Sequence, residues 1–276
     1  MPEREFTAAN TAAEDIYAES VDDESPGLPA PAVAGLHTFP RGPGPGSFLH
    51  GLLEWAGRQG FARVRDDPGA TKDLIARRCN LRGWSHWIEP LTAWLLHCLD
   101  APFQWPDGST LQLAGLDSYQ VEMEFWFAAH QVDARRLDGL VCAATLGAAA
   151  RPVLLPTHMN GMLKGFIDLV FQHQGRYHVL DYKSNWLGPT DLDYTPAAMR
   201  AVVLAHRYDL QYVLYLFALH RLLRSRLPSY DYDRHVGGAV HLFLRGSGAA
   251  SQGLHHERPP SSLMDELESL FGGAQE

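Results

Sequence analysis

Two short apolar runs, Met162–Phe171 and Arg176–Tyr182, bring Asp168, Asp181 and Lys183 to either side of Gln172-His173-Gln174-Gly175. Runs rich in β-branched and aromatic residues with a Gly-containing break between them predict a hairpin. Strand positions two apart share a face, so Asp181 and Lys183 point the same way. Two carboxylates on neighbouring strands can hold a hard divalent cation such as Mg2+, which takes oxygen ligands and keeps several waters. An amine beside them can hold or activate the attacking water, or offset charge in a phosphorane-like transition state. The chemistry this predicts is phosphodiester hydrolysis. The same residues also suit an ordinary turn with Lys183 paired to one acid, because D-x(n)-D-x-K is a short and common pattern.

Other residues could join that site. Val121, Met123, Phe125 and Phe127 alternate with Glu122, Glu124 and Trp126, which predicts a strand with two acids on one face. Either acid could reach the cation, or both could simply face water. His50 lies among apolar residues at helical spacing and fits either a ligand or a boundary histidine. Gln211 and Tyr215 are four apart on a long helix, hence on one face, and could hold a base or a phosphate. Tyr208, Tyr212, Tyr215 and Phe217 could equally be core aromatics. His173 and His178 flank the hairpin within possible reach of a phosphate.

The elements that must position these residues are legible in outline. Ser47 reads as the N-cap of a helix that continues through Phe48, Leu49, Leu52, Leu53 and Ala56. Residues 71–79 and 86–99 also have helical spacing. Thr195 caps a further helix with Pro196 at its first position, running to about Arg226 with a break near Tyr208. His235–Leu244 reads as a strand and residues 261–271 as a short helix. The Ala-rich stretch 134–150 fits no single period. Residues 1–46, rich in Ala, Pro, Gly and acids, read as a flexible linker or tail, which leaves 47–276 as the folded domain.

The net charge of −9 argues against a nucleic-acid partner at first sight. However, eight acids against two bases fall within residues 1–46, whereas residues 200–226 hold five arginines and one acid. Charge therefore does not exclude DNA. Cys79, Cys98 and Cys142 are odd in number and form no C-x-x-C pair, which speaks against a zinc site or disulfide framework and for a reducing, cytoplasmic setting. No apolar run is long enough to span a bilayer, so no membrane role is expected.

Taken in order, these stretches resemble the PD-(D/E)xK nuclease superfamily, and within it the nuclease domains of the RecB type. FPRGPGPGSFLHGLLE (Phe39–Glu54) matches the opening segment that supplies a histidine, here His50. VEMEF (Val121–Phe125) matches the acidic strand, with Glu122 preferred to Glu124. GMLKGFIDLVF supplies Asp168, and LDYKSNWLG supplies Asp181 and Lys183. HRYDLQYVLYLFALHRLL (His206–Leu223) matches the Gln-xxx-Tyr helix. The resemblance covers about residues 36 to 272. It implies an α/β, restriction-endonuclease-like core, with a central mixed β-sheet flanked by α-helices. It implies a Mg2+-dependent deoxyribonuclease of the exodeoxyribonuclease V type, cutting mainly single-stranded DNA without sequence specificity. Asp168, Asp181, Lys183 and Glu122 would be catalytic. His50, Asp168, Asp181 and the Tyr182 carbonyl would hold the metal, and Gln211, Tyr215 and Arg207 would hold DNA. The implied setting is a RecBCD-type repair helicase–nuclease, with RecC, RecD and RecA as protein partners. The alternative is a module that chiefly docks those proteins. No G-x-x-x-x-G-K-[ST] occurs, so ATP hydrolysis is not expected. The chain is expected to be a dissected domain or a stand-alone relative.

Overall fold

The computed structural model describes residues 36–272. A five-stranded mixed sheet runs in the order β3-β4-β5-β6-β7. Its strands are β3 (Tyr119–Asp133), β4 (His158–His173), β5 (Arg176–Lys183), β6 (Val236–Phe243) and β7 (Leu254–Glu257). The β5–β6 pair is parallel and the others are antiparallel. A two-stranded ladder, β1 (Phe103–Gln104) with β2 (Thr110–Leu111), lies apart from it.

Helices cover both faces. On one side are α1 (Pro43–Gln59), α2 (Phe61–Asp66), α3 (Pro68–Asn80) and α4 (Ile88–Asp100). Their apolar positions meet Leu169, Phe171, Leu180, Tyr182, Val240 and Leu242 from the sheet. On the other side are α5 (Ala134–Ala144), α6 (Pro196–Ala205), α7 (Tyr208–Arg226) and α9 (Ser261–Phe271), with the short α8 (Tyr232–His235). Here Ile167, Val170, Val179 and Ala239 pack against Val213, Leu216, Phe217 and Leu267. Alternation along β4 to β6 thus feeds two separate cores. The expected α/β architecture with a flanked mixed sheet is what the chain adopts.

The β4–β5 hairpin closes more tightly than expected. Only Gln174 and Gly175 lie outside the strands, with φ of 47° and 77°. Two positive φ values are what a two-residue turn of the right hand for a twisted hairpin requires. The expected break near Tyr208 is also present. Arg207 sits at φ 56° between α6 and α7, and Thr195 accepts from Ala198 N–H as the α6 cap.

The boundary expected at residue 46 does not hold. Leu36 and Phe39 are buried in the α1–α4 core, and α1 begins at Pro43 with Gly42 as its N-cap, five residues before the expected cap Ser47. The buried Arg245 guanidinium donates to the carbonyls of Leu36, Phe39, Pro40 and Ser184. It ties this segment to the exit of β5. The remainder of the expected tail, residues 1–35, lies outside the described residues.

Candidate active site

The acids collect where β5 parts from the β3–β4 pair. β3 and β4 keep one register, with Val121 opposite Leu169 and Met123 opposite Ile167, so Glu122 and Asp168 occupy the step between. Glu122 has φ 50°, in the left-handed region that non-glycine residues rarely adopt. The strands change faces at that step: Val121 and Leu169 pack on the α1–α4 side, Met123 and Ile167 on the α7 side. The last β4–β5 pair at this end is Leu169 with Leu180, and one further step sets Asp168 level with Asp181. Strained backbone and diverging strands thus coincide at the three carboxylates, a placement common at functional sites.

Hydrogen bonds fix the acids individually. The backbone N–H of Tyr182 donates to Asp168 Oδ2 (2.7 Å), and His50 Nδ1 from α1 stands 3.5 Å from the same oxygen. Lys183 Nζ lies 2.6 Å from Asp181 Oδ2 and donates to Gln211 Oε1 (2.7 Å). Gln211 Nε2 donates to Asp181 Oδ1 (3.3 Å) and to the Tyr215 hydroxyl (2.9 Å). Lys183 Nζ also sits 3.6 Å from the centre of the Tyr208 ring. Asp168, Asp181, Lys183 and Gln211 are all buried.

This arrangement concentrates negative charge. Burial pushes the Asp181 carboxyl up to about 6, with Lys183 opposing and Asp168 reinforcing the rise. Burial, then Asp168 and Glu54, push Glu122 up to about 7. Burial works against the charged forms of His50 and Lys183 as well. Asp168 nevertheless raises the His50 pKa, and Asp181 raises that of Lys183. Lys183 is therefore held as an ammonium ion. His241, level with Asp181 on β6, is driven well below its usual pKa by burial and by Lys183, and stays neutral.

The donor set suits a hard divalent cation. Carboxylates from three strands crowd together, and among the described residues Asp181 Oδ2 is offset only by the ion pair with Lys183. A cation there would relieve their mutual repulsion. Among the described residues no three acid, His or Cys side chains already stand as a closed ligand shell.

The structure brings together Glu122, Asp168, Asp181, Tyr182, Lys183 and His50, with Gln211 and Tyr215 directly behind them. Gln211 and Tyr215, expected to hold DNA, are buried: Gln211 bonds Asp181 and Lys183, and Tyr215 bonds Gln211. Arg207 is elsewhere. Its guanidinium bonds Asp138 (2.6 Å), both Asp209 oxygens (3.0 and 3.1 Å) and the Pro152 carbonyl (2.6 Å). Those internal partners occupy the fork, which corrects the expected DNA contact. His173 and His178 lie at the turn end of the hairpin around Trp105, away from the acids. Glu124 is exposed and pairs with Lys164 (2.6 Å), so Glu122 is the acid beside Asp168. Glu54 and Tyr208 were not foreseen, although the spacing His50–Glu54 and Tyr208–Gln211–Tyr215 places each set on one helix face.

A family model described as the PD-(D/E)XK nuclease superfamily matches residues 32–271. The chain belongs to this superfamily. As a PD-(D/E)XK chain it carries Asp168 and the Asp181-x-Lys183 pair on adjoining strands of its sheet. It is 43% identical over 241 residues to RecBCD enzyme subunit RecB of Escherichia coli (strain K12), a match covering 86% of this chain and 20% of that protein. RecBCD enzyme subunit RecB of Haemophilus influenzae is 35% identical over 241 residues (84% and 19%), and that of Mycolicibacterium smegmatis 30% identical over 295 residues (91% and 26%). The chain thus spans about a fifth to a quarter of these relatives. The matched range includes residues 36–46, in keeping with their packing against Arg245.

Proposed function

We propose that this chain is a Mg2+-dependent deoxyribonuclease that hydrolyses phosphodiesters, mainly in single-stranded DNA and without sequence specificity. One observation carries the reading: Glu122, Asp168 and Asp181 share the point where β5 parts from the β3–β4 pair, with Lys183 held as a cation beside them. Asp168, Asp181, His50 and the Tyr182 carbonyl would hold the metal. The bound metal would supply Lewis-acid stabilisation of the phosphoryl oxygens and a more acidic water. Lys183 contributes a fixed positive charge and a hydrogen bond to the reacting phosphate or water, since its neighbours keep it protonated and unsuited to act as a base. Glu122, with its pKa near neutrality, can take the proton of the attacking water. Gln211 keeps Lys183 and Asp181 in register, and Tyr215 supports Gln211.

The likeness to RecB subunits extends this to a setting: the nuclease part of a RecBCD-type repair enzyme, working with RecC and RecD. The test is cleavage of an end-labelled single strand in Mg2+, against EDTA and against Asp181→Ala and Lys183→Gln. Cleavage that needs Mg2+ and is lost in both variants is expected. Equal cleavage by wild type and variants would overturn the assignment.

A further inference from the structure

Beyond the step at Glu122 and Asp168, β3 and β4 continue as a paired ribbon, and only one of its faces is covered. Phe125 and Phe127 pack inward against Tyr215, Phe217 and Phe271. The outer face pairs Glu124 with Phe166, Trp126 with Lys164, and Ala128 with Met162. Trp126 is 54% exposed, Met162 53% and Phe166 41%. Three large apolar side chains in a row are a costly surface to leave in water, and such patches mark interaction sites. The Lys164 amine lies 4.6 Å from the centre of the Trp126 ring and 5.1 Å from that of Phe166.

We propose that this face, Phe166, Trp126 and Met162 with Lys164, is a stacking platform for the bases of single-stranded DNA entering or leaving the acids. The proposal rests on the nuclease reading and adds the path of the strand. Continuity carries it. Phe166 is two residues from Asp168 on β4, about 7 Å along the strand. A single strand that has its phosphate at Asp168 and runs along β4 away from β5 would bring its neighbouring nucleotides to these rings. The chemistry also fits. Aromatic side chains accept every base by its π-face, which gives binding without sequence preference. Glu124 already shares the charge of Lys164, so stacking more than net charge must supply the affinity.

The test is binding of a fluorescein-labelled mixed-sequence 20-mer to the chain in EDTA, followed by anisotropy, with Trp126→Ala, Phe166→Ala, Trp126→Phe and Phe166→Tyr. Loss of one base stack should weaken binding about tenfold per alanine. The aromatic replacements should retain affinity within about twofold, and the tenfold loss should persist on raising salt, because stacking releases few counterions. These exposed positions should leave the melting temperature unchanged. Wild-type cleavage in Mg2+ together with alanine variants that bind DNA as tightly as wild type would overturn the platform and leave the nuclease reading intact. Weakened binding by the alanine variants without wild-type cleavage in Mg2+ would support the platform and overturn the nuclease reading.

Discussion

Replacing Glu122 by Gln should stabilise the metal-free fold at alkaline pH while abolishing hydrolysis. Burial, Asp168 and Glu54 raise this carboxyl from an ordinary 4.5 to about 7. The folded state therefore holds the proton more tightly than the unfolded chain. The resulting penalty is absent below about pH 4.5, grows between pH 4.5 and 7, and is complete above pH 7. A rise of this size corresponds to about 3 kcal/mol. Glu122 is only half buried, and solvent screening leaves roughly 1–2 kcal/mol. For a domain of this size that is about 2–8 °C in melting temperature. Thermal melts in EDTA at pH 4.5 and pH 8 measure it directly. Glu122→Gln should melt higher than wild type at pH 8, and the gap should shrink towards zero at pH 4.5. A variant that is equally or less stable at pH 8 would refute the account of crowded carboxylates.

Four further outcomes are expected. Stabilisation by Mg2+ should be larger at pH 8 than at pH 5.5, because Asp181 (about 6) must lose its proton to bind the cation and ionised Glu122 (about 7) adds negative charge beside it; melts with and without Mg2+ at the two pH values check this. Gln211→Ala should lower the cleavage rate and cost about 1–3 kcal/mol in urea unfolding, because Lys183, Asp181 and Tyr215 lose a buried partner. Asp209→Ala should destabilise by about 3–5 kcal/mol, since it leaves buried Arg151 and Arg207 without their shared carboxylate; cleavage per folded molecule, measured in the cold, should survive. Arg245→Met should free residues 36–40 from their carbonyl clamp, and limited proteolysis should then cut near Arg41 faster than in wild type.

Much of this site was legible because its parts lie on two regular periods. The i, i+2 relation set Asp181 and Lys183 on one face, and the i, i+4 relation joined Gln211 to Tyr215. What escaped was decided by tertiary contacts. Gly42-Pro43-Gly44-Pro45-Gly46 read as a loop, yet Pro is tolerated in the first helical turn. A Cβ at Gly46 would lie 2.7 Å from Ser184 Oγ, so any larger residue there would displace that hydroxyl. The face switch at Glu122 leaves no mark on the alternating sequence, so spacing alone did not separate Glu122 from Glu124, and only the family resemblance favoured Glu122. Arg207 looked like a phosphate contact because Asp138 and Asp209 are 69 and 2 residues away in the chain and only folding brings both to its guanidinium. The strand β7, four residues with two histidines, carries no pattern to distinguish it from a loop.

The central claim is that Asp168 and Asp181 are paired to hold one divalent cation, with Lys183 beside it. Anomalous diffraction from crystals of the chain soaked in Mn2+ tests it most directly. The account predicts a peak about 2.0–2.2 Å from carboxylate oxygens of both Asp168 and Asp181, with Lys183 Nζ adjacent but not bound. A chain that cleaves DNA in Mn2+ yet shows its metal peak away from these two carboxylates would contradict it.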